Sequence, residues 1–170
     1  MKKLLFLVSI VFLFNSCDDG DITLESFNFT SQTILKCNED SKPFLYKIND
    51  DELLLLNISA DSYTNEITLP NEPRIIPITD PVSVIYRIYN GTIPNTFMCS
   101  AIAAATPVVI NEWAASGGTI EITTIERFDL DETTVIGYTH SIKLRNVNFS
   151  NGTNSFSFEE YFFGNYQTNN

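Results

Sequence analysis

The apolar positions in the last third of the chain fall into three runs, 119–128, 135–149 and 154–163, joined by short polar segments. Their period of two predicts an antiparallel meander. In the middle run Tyr138, His140, Ile142 and Leu144 share one face while Thr139, Ser141, Lys143 and Arg145 share the other, as in a sheet with one wet side. Val147 and Phe149 then have the wrong parity. A bulge near Arg145-Asn146 returns them to the core face, because one extra residue flips every side chain after it. Asn151-Gly152 supplies the positive-φ residues of a tight hairpin.

Upstream, residues 44–48 and 53–58 flank the polar corner Asn49-Asp50-Asp51 and read as a second hairpin. Within it Leu53-Leu54-Leu55-Leu56 shows no alternation, and a strand buried on both faces is preferred over a short helix. Pro70, Pro73, Pro77 and Pro81 punctuate a stretch of loop or irregular edge, since each lacks a backbone donor and disfavours helix in its predecessor. From Val82, bulk on both parities (Val84, Tyr86 and Ile88; Ile85, Arg87 and Tyr89) predicts an interior strand. Residues 101–106 allow at most a turn or two of helix before Pro107. Seven or so such strands predict an all-β fold, an antiparallel β-sandwich of immunoglobulin-like type, in one domain spanning 23–170.

The N-terminus follows a different logic. Lys2 and Lys3 precede an apolar stretch, 4–14, broken only by Ser9, which has the layout of a secretory signal peptide and is too short to span a bilayer. Residues 1–16 are read as that leader. Ser16-Cys17 resembles the lipobox of bacterial lipoproteins, although Phe14 and Asn15 depart from its commonest form; the resemblance implies that Cys17 is lipidated. Asp18-Asp19-Gly20-Asp21 resembles the acidic stretch that directs lipoproteins of Bacteroidetes-type bacteria to the outer face of the outer membrane, so 17–22 is read as a lipidated, acidic tether. With Tyr46-Lys47-Ile48-Asn49-Asp50, Tyr86-Arg87-Ile88-Tyr89-Asn90, Cys99-Ser100-Ala101-Ile102 and residues 118–124, the chain resembles small flavobacterial surface lipoproteins of uncharacterised function. The resemblance implies a location and a fold, and no reaction.

Of 170 residues, 154 remain once the 16 of the leader are removed, and two lysines leave with it, which moves the formal charge from −11 to about −13. Such a surface repels phosphate backbones, so no nucleic-acid partner is expected, and the membrane link is the lipid. Cys37 and Cys99 then admit one pairing, a disulfide in an oxidising compartment. A thiolate metal site would lack the histidines and close cysteine spacing that zinc uses.

Candidate chemistry is sparse. His140 is the only histidine, there is no Gly-x-Ser-x-Gly elbow, and a satisfied strand histidine is the preferred reading over a general base. Glu159-Glu160 cannot act as a glycosidase pair, because neighbours on a strand face opposite sides; Glu160 is either at an edge or a buried acid, and Glu112, Glu121 and Glu126 would have to converge on it. Asp129, Asp131 and Glu132 share a loop that offers an incomplete calcium set, with a solvated hairpin loop as the preferred reading. Trp113, Tyr161, Phe163 and Tyr166 are candidate aromatic faces for a ligand, Trp113 equally a core residue; Tyr161 and Phe163, on the face opposite Phe156 and Phe158, and Tyr166, in a polar tail, are preferred for exposure. Two functions follow: a non-catalytic binding or interaction module for a glycan or protein partner, needing no cofactor, or a small surface hydrolase with carboxylate chemistry. They differ in whether two acids meet in a concave pocket.

Overall fold

The computed structural model describes residues 26–37, 43–100 and 104–170; the leader 1–16, Cys17 and the tether 17–22 lie outside the described residues. Nine strands follow one another among those described: β1 (Leu35–Lys36), β2 (Leu45–Asn49), β3 (Glu52–Asn57), β4 (Arg74–Pro77), β5 (Ser83–Tyr89), β6 (Val109–Ala115), β7 (Thr119–Phe128), β8 (Val135–Ser150) and β9 (Ser155–Asn169). Two short 3-10 turns, Ala60–Tyr63 and Phe97–Cys99, are the only helical elements described. No helix among the described residues is long and apolar enough to cross a membrane.

Every strand pair is antiparallel, and hydrogen bonds join the strands into one sheet in the order β1-β2-β3-β5-β6-β8-β7-β4, with β9 on β8. The all-β antiparallel expectation holds. Inward faces of β2, β3 and β5 (Leu45, Leu54, Leu56, Val84, Tyr86) share one core with those of β7, β8 and β9 (Ile120, Ile122, Ile142, Leu144, Phe163). That layering is consistent with a sandwich.

The leucine run is explained by a second cluster. Leu54 and Leu56 enter the main core, whereas Leu53 and Leu55 pack outward with Cys37, Tyr46, Tyr89 and Ile93. Residues 90–100 cover that outer face, and the Cys37–Cys99 disulfide ties them down with the two Cα atoms 5.2 Å apart. Both faces of β3 are therefore dry, and alternation has nothing to mark. β4 lies at the edge of the sheet, bonded to β7, where Pro77 interrupts no ladder on its free side. Of the 101–106 stretch, which allowed at most a turn or two of helix, the described residues 104–106 are irregular, and a helical turn lies just upstream at Phe97–Cys99.

The parity change predicted near Arg145-Asn146 is present, and it crosses three strands. β6 and β7 lie end to end along β8 in one continuous register, Ala115 opposite Phe149 and Thr119 opposite Arg145. Between them Gly118 has φ +100° and Asn146 on β8 has φ +51°. Leu144 and Val147 are both fully buried, so β8 gains one residue without losing its inward face. On β9, where Arg145 faces Glu160 and Val147 faces Phe158, the same happens: Glu159 and Glu160 are both exposed, and Tyr161 and Phe163 turn inward.

One element has no counterpart in the strand pattern. Phe27 and Phe29, ahead of β1, plug the core, and the Phe27 ring lies 4.9 to 5.7 Å from the rings of Tyr86, Phe149, Phe156 and Tyr161.

Candidate functional site

The plug also positions a cleft. Phe29 N–H donates to the Tyr161 hydroxyl at 3.0 Å, and its carbonyl accepts from Lys47 Nζ at 2.9 Å, which fixes the segment that follows against β9. Between them opens a cleft of about 450 Å³, lined by Thr30, Gln32, Thr33 and Ile34 on one side and Phe162, Gly164, Asn165, Tyr166 and Gln167 on the other. Lys47 is its one fully buried side chain, 2% exposed.

The β2–β3 hairpin register puts Lys47 opposite Leu54, on the core side. An ammonium there is costly to bury unless its charge and its N–H groups are met. Among the described residues its ammonium makes one hydrogen bond, to the Phe29 carbonyl, with the Phe163 ring centroid 5.6 Å from Nζ, and no carboxylate pairs with it. Burial holds its pKa below that of an ordinary lysine. Gly164, at φ +142°, forms the wall beside it; a Cβ there would stand 3.0 Å from Ile34 Cδ1 and 3.3 Å from Lys47 Nζ.

His140 is fully buried on β8 and satisfied at both ring nitrogens, Nδ1 by Thr124 Oγ1 at 2.9 Å and Nε2 by Thr168 Oγ1 at 3.0 Å. The neighbours set the directions. Arg74 Nη1 donates to Thr124 Oγ1 at 2.8 Å, so the Thr124 hydroxyl donates to Nδ1; Thr168 donates to Asn65 Oδ1 at 2.6 Å, so it accepts from Nε2–H. Burial first, and the Arg74 charge second, hold the imidazole pKa down, and the ring is a neutral strut. Tyr166 stacks on His140 with centroids 6.2 Å apart and meets Tyr63 edge-on at 5.1 Å, which fixes its ring at the cleft rim.

Of the three aromatic residues preferred from the sequence, Tyr166 lines the cleft. Tyr161 and Phe163 do not: they are 8% and 0% exposed, because the extra residue at Glu159-Glu160 reverses the parity on which their exposure was argued. Trp113 is likewise core, stacked on Tyr86 at 5.2 Å.

Among the described residues the acids do not converge in a pocket. Glu112 pairs with Arg87 at 2.5 Å, and Glu160 is exposed on the wet face, held by Arg145 at 2.6 Å and Lys143 at 3.4 Å. Glu121 approaches Glu160 only through the same Arg145, at 3.1 Å, so the guanidinium occupies the place a substrate would need. Glu126 and Glu159 are exposed elsewhere. Among the described residues the cleft at Lys47 has no acid, and a second one of about 500 Å³ on the wet face has Glu121 alone.

The carboxylates of Asp129 and Asp131 accept hydrogen bonds within their own loop. Asp131 accepts from the Thr133 and Thr134 amides at 3.0 and 2.8 Å and from the Thr134 hydroxyl at 2.5 Å, bonds that hold its pKa far below the usual carboxylate range. Asp129 accepts from the Leu130 amide at 2.8 Å, and no group of three potential ligands that could hold a metal occurs among the described residues. The loop is a self-bonded turn.

Sequence reasoning missed Lys47 and Gly164. The signal was available at Lys47: once Asp50-Asp51 is taken as the turn, Lys47 faces Leu54 on a buried strand. Gly164 carried no such signal, since its role depends on a side chain from a distant hairpin. Comparison with family models, curated proteins and solved structures finds no match, so the functional argument rests on this chain's own residues.

Proposed function

We propose that this protein is a non-catalytic cell-surface lipoprotein that binds a glycan in the cleft between residues 30–34 and β9. The observation that carries this reading is the lining: hydroxyl and amide side chains from Thr30, Gln32, Asn165 and Gln167, the rings of Phe162 and Tyr166, and no carboxylate among the described residues. Sugars present hydroxyls that match amides and hydroxyls in both donor and acceptor roles, and apolar C–H faces that lie against aromatic rings. A concave site of this size falls within the roughly 300–1,000 Å³ of small-ligand clefts, which favours a saccharide over the flat face of a protein partner. The hydrolase reading loses its support, because its carboxylate pair is not assembled.

The anchor belongs to the same proposal. The charged leader, Cys17 and the acids after it support a lipid-anchored domain on the outer membrane, facing outward. Mass spectrometry of the full chain expressed in a lipoprotein-processing host tests this, with a diacylglyceryl adduct on an N-terminal Cys17 expected and its loss in Cys17→Ala.

For the cleft, the full-length protein is screened for saccharide binding, and hits are titrated by calorimetry against Tyr166→Ala and Gln167→Ala. Weakened binding in both variants, with unchanged circular dichroism, is expected. A folded wild type that binds no saccharide refutes the reading.

A further inference from the structure

The glycan reading leaves Lys47 unexplained. A neutral sugar would be served by the amides, hydroxyls and rings of the cleft, and an apolar residue opposite Leu54 would pack the core better than an ammonium. Yet β2 places a lysine there, 2% exposed, with one carbonyl acceptor and no carboxylate. Two of its three N–H bonds have no protein acceptor among the described residues.

Three features direct that unmet charge toward the cleft. Lys47 is part of its lining. Gly164 leaves open the volume next to Nζ, where even a methyl group would come within 3.3 Å. Lys36, outside the lining, adds a second cation near the lining residue Tyr166, close enough to interact with it and 5.7 Å from the Tyr63 ring centroid. The contrast with the wet-face cleft is instructive: there Arg145 and Lys143 are already paired with Glu121 and Glu160.

Resting on the glycan reading, we propose that the cleft selects an anionic saccharide, whose carboxylate or sulfate oxygens dock on Lys47 Nζ. An oxyanion accepts the two free N–H bonds and supplies the counter-charge that the fold withholds. The contact is short-range, because the protein as a whole carries a formal charge of −11 and repels anions at a distance. Selectivity then comes from desolvating a sugar acid only where a buried cation receives it.

The test titrates the full-length wild type with three oligosaccharide sets matched in linkage and length: neutral, uronic-acid-bearing and sulfated. At least tenfold preference for one of the anionic sets over the neutral one is expected, and the set that wins identifies the oxyanion. In Lys47→Met, which keeps the stem and removes the charge, the preference is expected to fall to about onefold. Equal or better binding of neutral sugars by the wild type overturns the proposal while leaving the glycan reading intact; no binding of any set overturns both. If Lys47→Met does not fold, side-chain NMR of the wild type decides. The Lys47 ammonium resonance must shift, and its pKa rise, on addition of the preferred anionic sugar and not of the neutral one; an unmoved resonance refutes the contact.

Discussion

Lowering the pH from 7.5 to 5.5 is expected to remove stability through His140 alone, at most about 1.4 kcal/mol. In the unfolded chain an imidazole titrates near 6.5. In the fold its pKa is lowered, by burial first and by the Arg74 guanidinium second. A depressed pKa stabilises the fold fully above the unfolded value, and that stability is lost as pH falls toward and through the folded value. If the buried ring stays neutral down to pH 5.5, the unfolded state alone takes up the proton, and the two-unit window gives the ~1.4 kcal/mol as an upper bound. The geometry argues for neutrality: a proton on Nδ1 would face a Thr124 oxygen already accepting from Arg74. Urea unfolding followed by the fluorescence of Trp113, the chain's one tryptophan and fully buried, measures the effect. Comparison with His140→Gln cancels the carboxylates common to both, and Asp131, with its lowered pKa, titrates well below the window. Equal pH dependence in wild type and variant would show that the Thr124–His140–Thr168 chain does not hold a neutral ring.

Three further outcomes follow from the packing. Removing the disulfide as Cys37→Ala/Cys99→Ala frees a sequence separation of 62 residues and is expected to lower stability by about 4 kcal/mol in the chain-entropy model; a loss under ~1 kcal/mol in urea unfolding contradicts it. Phe27→Ala empties the centre of the aromatic cluster, for an expected loss of about 3–5 kcal/mol by the same assay, although the residue lies outside every strand. Gly118→Ala, at φ +100° with its Cβ 2.6 and 2.7 Å from the Arg145 and Asn146 carbonyl oxygens, should lose more than about 2 kcal/mol; neighbouring Gly117→Ala, whose Cβ meets nothing within 4 Å, should change thermal unfolding little.

The β-rich runs were legible because each has its own periodicity. The meander of β7, β8 and β9, the β2–β3 hairpin and the interior position of β5 all follow from which local parities carry bulk. Even the extra residue at Arg145-Asn146 could be read, since Leu144 and Val147 cannot both face a core without one. The same device on β9 is not legible, because Glu159 and Glu160 permit either parity, and simple alternation puts Tyr161 and Phe163 on the wrong face.

By itself, then, the sequence determined an antiparallel all-β body and a histidine satisfied within a strand, both consequences of local alternation, and it paired Cys37 with Cys99 once the resemblance had set Cys17 aside. Only the tertiary structure decided where Phe27 goes, that Arg145 separates Glu121 from Glu160, and that a gap in the side chain at Gly164 opens beside Lys47. The reason is physical: a strand's period fixes which side a residue faces, whereas burial, charge compensation and cavities depend on what distant segments bring to that side.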